Sequence, residues 1–125
     1  MSARFIFLFA AISGFVCVAL GAFAAHLLQG LLSERMFEVL QTGIQYQMFH
    51  TLALLLVGVT MLKTGLKSLQ FTAGLFLAGI LLFSGSLYVL ALSGQHWLGA
   101  VTPLGGVLFL CGWLSLGWIS FRQLK

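Results

Sequence analysis

Three stretches of the chain carry no charged residue: Phe5–Ser33, Val39–Leu62 and Ser68–Phe121. Aliphatic and aromatic side chains dominate each of them. None has the ten-residue in/out alternation of an outer-membrane barrel strand. A bilayer core about 30 Å thick takes about 20 apolar residues of helix to cross, and helices satisfy their own backbone there. The first two stretches each hold one crossing. The third holds two, divided by the polar run Ser93-Gly94-Gln95-His96. The pattern therefore predicts an all-α integral membrane bundle of four transmembrane helices. The spans run over 5–28, 41–62, 68–92 and 99–121, in a single domain covering 1–125.

Composition agrees. The 125 residues are 61% hydrophobic and 6% charged, against about 25% charged in soluble domains. The run from Phe5 exceeds the roughly 7–15 apolar residues of a secretory signal, so a retained first span is expected. Cys17 and Cys111 both lie in apolar runs and read as small buried hydrophobes rather than a disulfide.

The net charge of +4 comes from Arg4, Arg35, Lys63, Lys67, Arg122 and Lys125, set against two glutamates. These cations are scattered between apolar runs instead of forming a basic face, so no nucleic-acid partner is expected. Their distribution orients the chain. With four spans, all but Arg35 fall on the side of the termini, which predicts both termini in the cytoplasm. Trp97 then anchors the outer interface, and Trp118 with Phe121 the inner one.

Small residues predict close helix packing. They are Ala10, Gly14, Cys17, Gly21 and Ala24 in span one, Gly74, Ala78 and Gly85 in span three, and Gly105 and Gly112 in span four. Polar groups in hydrocarbon are costly without partners, so where they fall is informative. In this topology they gather in the outer half: His26 in span one, Gln41, Gln45, Tyr46, Gln47, His50 and Thr51 in span two, Ser84, Ser86 and Tyr88 in span three, and Thr102 in span four. The inner halves read as nearly all aliphatic or aromatic. Gly43, Tyr46, Gln47 and His50 share a face of span two at i, i+3, i+4 and i+7. Ser84 and Tyr88 share a face of span three, and His26 shares one with Ala19 and Ala22. Ahead of span two, Ser33 is positioned to cap a short interfacial helix with Leu32, Met36, Phe37 and Leu40 facing lipid.

The candidate cluster is thus His26, Gln45, Tyr46, Gln47, His50, Ser84, Ser86, Tyr88 and Thr102. Such residues bind a polar substrate or a quinone. They equally hold helices together, at about 0.6 kcal/mol per interhelical hydrogen bond. Their gathering at one depth in several spans exceeds what packing alone requires. His26 and His50 lack the spacing of a metal site, which leaves any metal or cofactor open. There is no aspartate, and Glu34 and Glu38 fall outside the spans. That leaves no carboxylate pair, triad or intramembrane acid for catalysis or proton-coupled transport, and the chain reads as a non-enzyme.

Four ordered motifs carry a resemblance over nearly the whole chain. They are Gly21-Ala22-Phe23-Ala24-Ala25-His26, Gln41-Thr42-Gly43 with Tyr46-Gln47 and Phe49-His50, Phe83-Ser84-Gly85-Ser86-Leu87-Tyr88, and Thr102-Pro103-Leu104-Gly105-Gly106. Together they resemble the YgdD/YwdK family of small bacterial membrane proteins. The resemblance implies four helices in the bacterial inner (plasma) membrane and no assigned activity.

Three roles remain open on these residues. One is binding of a small ligand or lipid in the outward-facing cluster. Another is an accessory subunit or assembly factor of a larger membrane complex, or a homo-oligomer joined along the small-residue stripes. The third is a small channel or carrier, which requires a polar path through the aliphatic inner halves.

Overall fold

The computed structural model describes residues 1–124 except for the side chain of Ala25. Lys125, which contributes to the predicted orientation, and the Ala25 side chain of the first motif lie outside the described residues. Four helices in the described chain are long and apolar enough to cross a membrane. These are α1 (Ala3–Leu28), α2 (Glu34–Thr64), α3 (Leu69–Ser93) and α4 (Thr102–Gln123), with a tight 3₁₀ turn at His96–Ala100 leading into α4.

Two boundaries depart from expectation. The predicted interfacial helix is not separate: α2 runs unbroken from Glu34, because no glycine or proline interrupts Glu38–Thr42. Its 31 residues extend about 46 Å, more than the hydrocarbon core, so its first turns project beyond it. Ser33 does cap it, accepting from the Met36 N–H at 3.2 Å. Leu40 belongs to the interior at 1% exposure instead of facing lipid. Span four begins at Thr102 rather than Gly99, with Pro103 in the first turn where its missing N–H costs nothing. The breaks fall at Gly65 and Gly94, whose left-handed backbone (φ 68° and 71°) closes α2 and α3.

Both α1 and α3 contain one wide, π-type turn, at Leu20–Ala24 and Ile80–Ser84. Such a turn inserts a residue into the helical ladder and rotates the helix beyond it. Downstream faces therefore no longer keep the simple 3.6-residue phase.

The helices pack chiefly as chain neighbours: α1 on α2, α2 on α3, and α3 on α4. An apolar core fills the half of the bundle nearest the termini. Ile6 of α1, Leu54 and Val57 of α2, Leu69 and Phe76 of α3, and Ile119 of α4 belong to it. At the α3–α4 seam the packing is reciprocal: the Phe76 ring lies against Gly112, and the Phe109 ring against Gly79. Gly105 sits on the α3 backbone itself, where an added Cβ would come within 2.7 Å of Phe83 Cα. The predicted close approach in span four is therefore present. The stripe in span one is different. Ala10 and Cys17 are buried, but among the described residues no atom beyond the helix's own nearby backbone and the adjoining residues lies within 4 Å of a Cβ placed on Gly14, and the same holds for Gly85 in α3.

The exposed surface is overwhelmingly apolar, as lipid-facing helices require. Phe15 and Leu114 are each 75% exposed. Trp97, Trp118 and Phe121 all project outward, and the Arg122 guanidinium lies 4.8 Å over the Trp118 ring. Cys111 is on this surface, contrary to the buried role expected of it, whereas Cys17 is buried; both are free thiols.

The Gly105 contact gives a direct test. Gly105→Ala is expected to destabilise the protein by about 1–3 kcal/mol, because the α3 backbone cannot move aside. Gly14→Ala, into open space, should stay within about 0.5 kcal/mol of wild type. Thermal unfolding in mild detergent measures both, and equal melting of the two variants would remove the close α3–α4 contact from this description.

Candidate functional site

Most of the predicted polar residues are paired with one another across helices. Gln47 of α2 is 5% exposed and forms the hub. Its Nε2 donates to the Ser13 carbonyl at 3.2 Å and to Ser13 Oγ at 3.0 Å, both on α1. Its Oε1 accepts from the Tyr88 hydroxyl of α3 at 2.5 Å. Ser13 Oγ lies 2.6 Å from Thr51 Oγ1, which returns the network to α2. The spacing is the reason: Gly43, Gln47, His50 and Thr51 succeed one another at four, three and one residues and point inward from a single helix. Gly43 makes room for the Tyr88 ring, since a Cβ there would lie 2.7 Å from Tyr88 Cε1. The wide turn ending at Ser84 brings that hydroxyl to the Gly43 carbonyl, 2.7 Å away.

Two smaller pairs tie α3 to α4. Ser86 and Thr102 hydroxyls are 2.7 Å apart near the α3–α4 connection. Thr72 and Ser115 are also 2.7 Å apart, in the half nearest the termini. That pair is a polar exception in inner halves expected to be nearly all aliphatic or aromatic. No buried side-chain nitrogen or oxygen among the described residues lacks a hydrogen-bond partner.

His26 is not part of this assembly. It is exposed near the end of α1, and Ala22, on the face it was expected to share, is exposed as well. His50 is buried, and both its ring nitrogens are engaged. Nδ1 lies 2.7 Å from the Tyr46 carbonyl, and Nε2 lies 3.1 Å from Trp113 Nε1 of α4. A carbonyl only accepts and an indole N–H only donates, so His50 is neutral with its proton on Nδ1. The two histidines therefore do not meet. Among the described residues there is no group of three or more His, Cys, Asp or Glu side chains placed to hold a metal ion.

The remaining candidates, Gln45 and Tyr46, face a groove of about 730 Å³ between α2 and α4. Gln45, Tyr46, Phe49 and His50 form its α2 wall, Phe83 its floor, and Pro103, Gly106, Val107, Leu110 and Trp113 its α4 wall. It exists because α4 packs on α3 and meets α2 through side chains: the Trp113–His50 hydrogen bond and the His50–Phe109 stack, 3.5 Å between centroids at 8°. The Tyr46 ring lies nearly parallel to His50 (17°) and Phe109 (25°), and 4.6 Å from Phe83. Among the described residues no charged side chain lines the groove. Among the described residues no hydrogen bond reaches the Gln45 amide or the Tyr46 hydroxyl, and both residues are exposed. A groove of this size, largely aromatic with a few polar groups, has the form of a small-molecule site.

The aromatic lining was not foreseen from the sequence. Its signal was present as Tyr46, Phe49 and His50 at i, i+3 and i+4 on α2, and Phe109 and Trp113 at i and i+4 on α4. Ser13 and the Thr72–Ser115 pair also passed unnoticed, each being a lone hydroxyl in an apolar run.

Four apolar helices, a self-satisfied polar interior and a lipid-facing shell define a small multi-pass membrane protein. Residues 20–106 match the family described as "Protein of unknown function (DUF423)", and the chain belongs to that family. It is 49% identical over 113 residues to a UPF0382 membrane protein of Haemophilus influenzae, covering 90% of each chain. It is 50% identical over 114 residues to the UPF0382 inner membrane protein YgdD of Escherichia coli K12, covering 90% of this chain and 86% of YgdD. The UPF0382 membrane protein YwdK of Bacillus subtilis is 44% identical over 107 residues, covering 85% of this chain and 87% of YwdK. No solved structure matches. The family resemblance read from the four motifs therefore holds, and the chain is a multi-pass protein of the bacterial inner membrane.

Proposed function

We propose that this chain is a non-enzymatic membrane protein that binds a lipid-soluble small molecule in the groove between α2 and α4. One observation carries the reading. The buried hydrogen-bonding side chains are spent on one another, whereas among the described residues the exposed Gln45 amide and Tyr46 hydroxyl have no such partner and stand at an aromatic groove open toward the bilayer. A molecule dissolved in the membrane reaches such a groove sideways and gains both burial and a hydrogen bond.

Several features favour binding over chemistry or transport. His50 has no free nitrogen with which to act as a base. Glu34 and Glu38 are exposed on the first turns of α2. A polar path across the membrane is not supported either, since Ile6, Leu54, Val57 and Phe76 fill the termini half at no more than 1% exposure.

The charge distribution orients the groove. Arg4, Lys63, Lys67, Arg122 and Lys125 at one end, against Arg35 at the other, favour cytoplasmic termini and a groove in the outer half of the membrane. A fluorescent protein fused to the C-terminus should then be bright in cells, and alkaline phosphatase fused there inactive; the reverse pattern would invert the protein.

Gly106 supplies the test of binding. A Cβ there meets only the Phe83 ring at 3.9 Å, so Gly106→Leu fits the helix and fills the groove. Native mass spectrometry of the wild type from mild detergent should detect a bound molecule of defined mass. In Gly106→Leu the bound fraction should fall at least about tenfold with thermal stability unchanged. A bare wild-type chain, or equal occupancy in the variant, contradicts the binding reading.

A further inference from the structure

We propose that the ligand of this groove is an uncharged, planar, carbonyl-bearing ring with an aliphatic tail: the head of a quinone-type lipid. The inference rests on the proposed binding function and names the ligand class. Binding is reversible, and no bond or electron moves.

Ring geometry is the first support. The rings of Tyr46, His50 and Phe109 are within 25° of parallel, and Phe83 is tilted 32° from Tyr46 and 52° from Phe109. A flat ligand extends such a stack in the offset manner aromatic rings prefer. Gly106 contributes bare backbone beside Phe83, so a flat ring meets no side chain there. A saturated chain gains dispersion contact there but no ring-on-ring stacking.

Charge is the second. With no Lys, Arg, Asp or Glu in the lining, a carboxylate or phosphate would be stripped of water without a partner. The polar groups on offer are neutral, and both donate: the Gln45 amide N–H and the Tyr46 O–H. A ring carbonyl accepts from either or both.

Dimensions are the third. The α4 wall runs from Pro103 to Trp113, about 15 Å of helix. That length holds a ring and the first carbons of a tail, whose remainder leaves through the open side into hydrocarbon. Gln45 and Pro103 mark the end toward the loops, so the polar head sits near the interface and the tail toward the bilayer centre, as in any membrane amphiphile.

Trp113 is a built-in reporter. With Trp97→Phe and Trp118→Phe, both outside the groove, its emission is the only indole signal. The full chain in mild detergent is titrated with an alkyl-substituted benzoquinone and, separately, with an alkanol of the same chain length. Saturable quenching by the quinone is expected. It should be lost in Gly106→Leu and weakened at least tenfold in Gln45→Leu/Tyr46→Phe, with the alkanol displacing quinone only at far higher concentration. Displacement at equal concentration, or a quinone affinity indifferent to Gln45 and Tyr46, overturns the ring assignment and leaves lipid binding standing. Absence of saturable binding by either probe, with no retained mass in the wild type, overturns both. Gln45 and Tyr46 are exposed, so thermal melts of their variants should match wild type and separate lost binding from lost folding.

Discussion

One buried amide joins three of the four helices. Gln47 leaves α2, donates twice to Ser13 on α1 and accepts from Tyr88 on α3. In hydrocarbon, where apolar side chains gain little by leaving lipid for protein, such a contact fixes which faces meet and at what height. Its neighbours depend on it. Tyr88 reaches Gln47 because Gly43 presents no side chain, and the wide turn in α3 brings Ser84 onto the Gly43 carbonyl. The polar residues that look like a site in the sequence are largely the means by which α1, α2 and α3 find one register.

The fourth helix obeys a different constraint. It is held to α3 by closeness of backbone at Gly105, by the Phe76 ring seated on Gly112, and by the hydroxyl pairs Ser86–Thr102 and Thr72–Ser115. Because α4 is fixed from the α3 side, its distance from α2 is bridged by rings, with the Trp113–His50 bond as the direct latch. The groove is a consequence of that asymmetry, and the aromatic residues lining it are both its walls and its struts. The proposed binding uses what the packing leaves over: Gln45 and Tyr46, on the α2 face adjacent to the hub.

Much of this was legible in the sequence. Charge-free runs located the spans, Ser93–His96 marked the break before α4, and the four-three spacing of Gly43, Gln47 and His50 gave the inward face of α2. Other features depend on partners that a one-dimensional pattern does not contain. His26 lies on a face of α1 where Ala22 is itself exposed, so it stays outside the cluster although it falls at the same end of the bundle. Ser13 and Thr51 matter only because they meet. Aromatic residues at helical spacing read as core or lipid contacts, and become a groove only when two helices stand apart. Leu40 and Cys111 exchange their expected environments for the same reason: burial depends on which neighbour a face meets.

The coupling between Gln47 and Tyr88 is the most direct measure of whether the polar interior is structural. Unfolding of wild type, Gln47→Leu, Tyr88→Phe and the double variant in mild detergent forms a double-mutant cycle. Each single change should cost about 0.5–1.5 kcal/mol, and the double less than their sum by about 0.6 kcal/mol or more. Singles as stable as wild type, or strictly additive losses, would contradict a bundle organised by Gln47 and make the buried polar residues candidates for ligand contacts again.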